Sequence, residues 1–212
     1  MNPVRFICVV LFGIAIYPVA SQAADQAANQ AAEPSRNTLF LTGQFLVAAP
    51  KMPDPRFAKT VILMVNHDTS GAMGFVINKV FGRGPLPLFL KGFGVDATTT
   101  VKETVVLYYG GPVELESAAV LHSPDYKDVS TKKISKNLAW SNRKDVLSAV
   151  ATGKGPNKRI FILGYSGWSP GQLEREMARE DWLTAPADAA LIFDKDPKTL
   201  WDRIMAKAGI KL

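Results

Sequence analysis

Cysteine and histidine are nearly missing from this sequence, with one cysteine and two histidines in 212 residues. A lone cysteine excludes a disulfide framework, zinc-finger spacing and a Cys-x-x-Cys redox pair. No dense run of one charge occurs either. Lys132-Lys133 with Lys136, and Lys154 with Lys158-Arg159, are the nearest things to basic patches. They read as solvated faces, because nucleic-acid footprints are denser and interleaved with aromatics. Nucleic acid is therefore not expected as a partner. Internal repeats and a second linker are also lacking. What is present is ordinary: 47% hydrophobic and 21% charged residues, with Gly 16 and Pro 14. That balance excludes disorder, collagen, coiled coil and a multi-span membrane protein. The length suits one domain able to bury its own core.

Residues 1–23 read as an address. Arg5 supplies a positive start, Phe6 to Ile16 is an uncharged apolar run, and Pro18 breaks it before Ser21-Gln22-Ala23. This is the layout of a secretory signal peptide cleaved after Ala23, with an apolar run too short to span a bilayer comfortably. Retention as an N-terminal anchor is the alternative. Cys8 leaves with the signal, so the mature chain has no thiol chemistry. Loss of Arg5 leaves 24 basic against 19 acidic residues, a formal +5. Residues 24–36 form an Ala/Gln-rich spacer of flexible composition, and the domain itself runs over 37–212. The expected location is periplasmic or secreted, with no stable membrane span after cleavage; if the signal is not genuine, the chain is cytoplasmic.

Within the domain, Phe45 to Ala49, Thr60 to Asn66, Ala72 to Asn78, Val105 to Tyr109, Ala118 to His122, Arg159 to Leu163 and Leu191 to Phe193 read as strands. Thr60–Asn66 and Ala72–Asn78 flank a turn-rich segment and predict a hairpin. Asn142 to Thr152, with Asn142 as N-cap, Pro170 to Arg179, and a last segment from Asp196-Pro197 to Gly209 read as helices. Gly82 to Gly94 reads as a long Gly/Pro-rich excursion. Strands outnumber helices without strict alternation, so the class is α+β, a single compact domain.

The most structured stretch is Arg159 to Glu176. Ser169 as N-cap, Pro170 at the first helical position and Gln172 three residues on from the cap form a capping box, and Trp168 with Leu173 a hydrophobic staple. A phosphate loop is not supported, since the P-loop Lys-Ser/Thr is lacking. Ser166 lies near such a turn, yet Trp168 stands where a nucleophile elbow needs glycine, and both histidines precede it. His67-Asp68 and His122 each end an apparent strand and would converge on one sheet edge. No His-x-x-x-His spacing supports a metal there, and no metal or cofactor is expected. Asn78 and Gly110-Gly111 are turn features for which backbone geometry alone is a sufficient reading, beside their place among the site candidates.

Together these segments resemble the YqgE/AlgH family. Phe45 to Phe57 is similar to that family's opening FLIAxPxMxDPxF, and His67 with Gly71 to Lys79 is similar to HxxxGAMGLVINKP. Tyr109 to Val113, Leu121-His122, Leu163 to Trp168 with Gly171 to Glu174, and Trp182-Leu183 match in order. The resemblance implies a compact α+β domain with flanking helices, whose mixed sheet curls towards a barrel. It implies no settled activity; relatives are labelled regulators through an alginate-production phenotype and are usually cytoplasmic. Ser166 stands where the family usually has Ala, and Val80 where it usually has Pro. The expected function is a non-enzymatic binding or interaction domain, exported, with an unknown protein or small-molecule partner. Its expected cleft gathers Asp54, His67, Asn78, Gly110, Gly111, His122, Tyr165, Ser166 and Trp168. The alternatives are an enzyme whose general base, His67 or His122, is oriented by Asp54 or Asp68, and a cytoplasmic transcriptional regulator.

Overall fold

The computed structural model describes residues 40–96, 103–194 and 196–207. The signal and spacer read over 1–36, and the Gly209 end of the last helix, lie outside the described residues. The described strands are β1 (Gln44–Ala48), β2 (Val61–Asp68), β3 (Gly71–Val76), β4 (Val80–Pro85), β5 (Thr104–Tyr109), β6 (Val113–His122), β7 (Lys132–Lys133), β8 (Ala139–Ser141), β9 (Arg159–Trp168) and β10 (Trp182–Pro186). The helices are α1 (Leu86–Gly92), α2 (Lys144–Ala151), α3 (Gln172–Ala178), α4 (Ala189–Ile192) and α5 (Leu200–Lys207), with a 3-10 turn at Pro55–Phe57. The strands run in the order β10-β1-β2-β3-β9-β6-β8-β7, with β5 against β9 and β4 outside β5. Among the described strands, β5 and β9 are the parallel pair and the other pairings are antiparallel. The class is α+β, and the sheet curls into half a barrel.

Everything joins at β9. One of its edges follows β6 from Arg159, opposite His122, to Tyr165, opposite Val113. Its other edge is shared, with β5 taking Phe161 to Leu163 and β3 taking Ser166 to Trp168. The exchange happens at Gly164, whose φ is +69°. Gly110, just past β5, stitches the exchange: its N–H donates to Leu163 O at 2.8 Å, and its carbonyl accepts the Val76 N–H at 2.9 Å. A Cβ on Gly110 would lie 2.3 Å from Gly164 O, and one on Gly111 would lie 2.2 Å from Tyr165 C. Two backbones touch here, so only a hydrogen fits on these α-carbons.

Alternation along the central strands feeds cores on both sheet faces. Phe45, Val47, Leu63, Ile160 and Ile162 join Leu200, Trp201, Ile204 and Met205 of α5. Their neighbours Leu46, Ile62 and Met64 join Trp168, Leu173 and Trp182, whereas Phe161 and Leu163 pack with α1 and α2. Burial on both faces explains why β2 reads as a nearly unbroken apolar run. None of the described helices is long and apolar enough to cross a membrane.

The expected β2–β3 hairpin is present. Four local expectations are corrected. The Gly82–Gly94 excursion is ordered, because Val80–Pro85 pairs with β5 and Leu86, Phe89 and Leu90 of α1 pack into the core. Leu191 to Phe193 is no strand; the Asp188 side chain accepts the Ala190 N–H at 2.9 Å and starts α4. Asn142 does not cap α2, whose cap position is Arg143 without a side-chain bond. The strand predicted to stop at Leu163 continues to Trp168, since β3 supplies a new partner where β5 ends.

Replacing Gly110 by Ala forces the crossing backbones apart. Gly110→Ala is expected to cost about 3 kcal/mol, the upper range of core overpacking, read from the urea midpoint at unchanged slope. A loss below about 0.5 kcal/mol, ordinary for a surface change, would show that the crossing is loose.

Candidate functional site

The nine residues expected to form one cleft take several separate places. His67 is buried in β2 and both its nitrogens are in use. The Leu41 N–H donates to Nδ1 at 3.1 Å, so the ring proton sits on Nε2, which donates to Glu174 Oε1 at 2.9 Å. His122 is fully buried at the far end of β6. Its Nδ1 donates to Ser123 O at 2.7 Å, and its Nε2 accepts from Ser141 Oγ at 3.1 Å. Through the register, His122 faces Arg159 and His67 leads by way of Ala72 to Trp168. The imidazoles therefore lie beside opposite ends of β9, level with Arg159 and with Trp168, and do not share an edge.

The expected orienting carboxylates do not reach them. Asp54 caps the 3-10 turn and clamps Arg56, Nη2 to Oδ2 at 2.7 Å, which holds its carboxyl below the ordinary value. Asp68 accepts from Ser70 and Asn66 instead. Glu174 is the carboxylate at His67, and the sequence offered no spacing signal for a partner 107 residues away. Among the described residues no group of three or more His, Cys, Asp or Glu is placed to hold a metal ion.

Asn78 is a brace: its Oδ1 accepts the Val61 N–H and its Nδ2 donates to Lys59 O, both at 2.8 Å. Gly110 and Gly111 form the backbone crossing. Tyr165 and Ser166 point to opposite faces of β9. The Tyr165 hydroxyl donates to Glu114 Oε1 at 3.4 Å in a cavity of about 250 Å³ that also takes Phe75 and Trp140. Burial and the neighbouring Glu114 carboxylate push that phenol up. Ser166 is 2% exposed and donates to Gly110 O at 3.3 Å, so its hydroxyl serves the crossing.

The corner after β9 also differs from its capping-box reading. The Ser169 side chain does not cap the helix; α3 begins at Gln172, behind Gly171 in a left-handed conformation with φ +70°. That left-handed turn moves the helix start two residues on. Half of the box survives, since Gln172 Oε1 accepts the Ser169 N–H at 3.1 Å. Trp168 and Leu173 are both buried in one cluster, as the staple requires.

Three of the nine expected residues and their neighbours do meet. Asp54, Ser166 and Trp168 line a cleft of about 370 Å³ between the Met52–Phe57 loop, the end of β9, α3 and the start of β10. Its back wall is Trp168 and Trp182, stacked edge to face at 6.2 Å, with Phe57 edge-on to Trp182 at 5.6 Å. Both indole N–H groups donate to one oxygen, Glu176 Oε2, at 2.9 and 2.8 Å, and Gln172 Nε2 donates to Oε1 at 2.9 Å. On the rim, Arg56 is held by Asp54 and Arg179 by Asp181, each at 2.7 Å. Sequence reasoning missed Arg56, Glu176, Arg179 and Trp182. The available signal was Glu176 lying eight residues after one tryptophan and six before the next, since buried indoles need acceptors.

The AlgH-like family model (DUF179) matches residues 45–212. The chain belongs to this family. A UPF0301 protein of Methylococcus capsulatus is 47% identical over 171 residues, covering 81% of this chain and 93% of that protein. One from Afipia carboxidovorans is 38% identical over 185 residues, covering 84% and 88%. The solution structure of the AlgH protein from Pseudomonas aeruginosa is 40% identical, with a TM-score of 0.71 over 82% of this chain and 92% of that one. A crystal structure from Corynebacterium diphtheriae shares the fold at 22% identity and a TM-score of 0.61, covering 79% and 86%. In this AlgH-like domain the family-resembling blocks thus divide between the backbone crossing, the His67 and Asn78 braces, and one wall of the cleft.

The His67–Glu174 contact makes a pH prediction. Burial raises the Glu174 carboxyl, but hydrogen bonds from its own backbone N–H and from His67 outweigh this and hold it below its ordinary value. A depressed carboxylate stabilises the fold fully above its unfolded value and loses that contribution as pH falls through its folded one. Thermal melting followed from pH 6 downwards should therefore show Glu174→Gln declining less steeply than the parent below about pH 4.5. Parallel curves would mean that the contact contributes nothing.

Proposed function

We propose that this chain is a non-enzymatic binding domain acting outside the cytoplasm, with the Trp168–Trp182 cleft as the seat of its partner. The observation that carries this reading is the way Glu176 pins two indoles side by side. Such a wall is rigid before anything binds, and a preorganised aromatic surface loses little entropy on binding. The acid–base inventory points the same way. Both histidines spend both nitrogens inside the fold, and Ser166 spends its hydroxyl at the strand crossing. A DNA-contacting regulator is disfavoured at this cleft because each rim guanidinium already has its own carboxylate. Export rests on the residue pattern of positions 1–23.

Two measurements test the two halves of this reading. Mass spectrometry of the chain from fractionated cells should find a mature N-terminus at Ala24 in the exported fraction; an intact Met1 start in the cytosol would overturn export. Screening a broad library of metabolites and short peptides by thermal shift should find compounds that raise Tm, as any ligand specific for the native state must. Phe57→Ala, which strips one edge of the cleft, should reduce that rise by at least half. A flat screen, or hits indifferent to Phe57, would overturn the cleft as the binding site.

A further inference from the structure

The charge arrangement of the cleft narrows what it takes, given the binding reading above. Three carboxylates line it, from Asp54, Glu176 and Asp181, against two guanidiniums, Arg56 and Arg179. Each guanidinium is bound to an aspartate two residues away, through both Nε and Nη2. Those two pairs cancel. Glu176 is the carboxylate left over, because its partners are two indole N–H groups and an amide, all neutral.

Counting lone pairs locates the opening. A carboxylate has about four acceptor sites, two on each oxygen. The indoles fill both sites on Oε2 and Gln172 fills one on Oε1, which leaves one acceptor site on Oε1. The surroundings suit a cation on an apolar stem. Trp168, Trp182 and Phe57 present aromatic surface, whose quadrupole attracts positive charge. Donation of both indole N–H groups to a carboxylate polarises the rings in the direction that strengthens this attraction.

We infer that the cleft binds a single positively charged nitrogen group, a primary ammonium or guanidinium on an apolar stem, which donates to Glu176 Oε1 between the aromatic walls. The group comes either from a free small amine or from a lysine or arginine side chain of a protein segment. In both cases the recognising chemistry is the same: one charge-assisted hydrogen bond inside an aromatic wall.

The test compares charge at constant shape. Binding of N-acetyl-lysine methylamide, its uncharged norleucine analogue, N-acetyl-glutamate methylamide and free n-butylamine is followed by NMR shift changes of the Trp168 and Trp182 indole N–H groups. The lysine compound should bind at least tenfold more tightly than the norleucine analogue, a difference of about 1.4 kcal/mol. Glu176→Gln keeps an oxygen for the indoles and removes the charge, and it should abolish that tenfold preference. Should Glu176→Gln fail to fold, the lysine and norleucine comparison on the parent protein decides alone. Butylamine binding as well as the lysine compound assigns the site to small amines; binding of the lysine compound only assigns it to a protein segment. Equal binding of the norleucine analogue, or preference for the glutamate compound, overturns the cation while leaving the cleft a binding site. No shift change with any probe, together with a flat thermal screen, overturns both.

Discussion

The crossing of Gly110-Gly111 over Gly164-Tyr165 is the contact on which the rest of the molecule depends. At that point β9 gives up β5 and takes β3, so a ten-residue strand serves two different neighbours along one edge. Hydrogen bonding is conserved through the exchange because Gly110 donates to β9 and accepts from β3. Without side chains at Gly110, Gly111 and Gly164 the backbones approach to contact distance. The consequence lies downstream: Ser166 and Trp168 are carried onto the β3 side of the sheet, beside α3, β10 and the Met52–Phe57 loop.

Helix α3 then shows how a short element is held by its side chains. Seven residues are too few for a helix to persist by itself. Leu173 anchors it in the core, Glu174 reaches His67 of β2, and Glu176 gathers Trp168, Trp182 and Gln172. Its acidic residues have therefore divided their work between bracing the fold and shaping the cleft. The nearby Arg56–Asp54 and Arg179–Asp181 pairs are exposed on the arginine side, where screening leaves such contacts little weight in stability. Their effect is to orient the rim.

Most of the fold was legible because burial leaves a period in the sequence. The apolar run of β2, the turn before β3 and the single apolar face of α5 each declare an element without reference to anything distant. The errors came where tertiary contact overrode local pattern. Gly82 and Gly84 sit in a strand because β5 is there to pair with them. The strand read as ending at Leu163 continues because β3 waits beyond Gly164. Of the site, Asp54, Ser166 and Trp168 were named, whereas Tyr165, one residue from Ser166, faces a different cavity because side chains alternate along a strand.

Taken alone, the sequence determined the class and the blocks that mark its family, since composition and local spacing carry both. Only the tertiary structure decided which groups meet. Partners 107 residues apart, as in His67 and Glu174, leave no periodic trace, and neither does a carboxylate shared by tryptophans six and eight residues away on different elements. Hydrogen bonds of this kind depend on direction and on distances of about 3 Å, which are set when strands and helices pack and not before. That is why the histidines, the most conspicuous residues of the sequence, proved to be braces, while Glu176, not among the expected site residues, holds the cleft together.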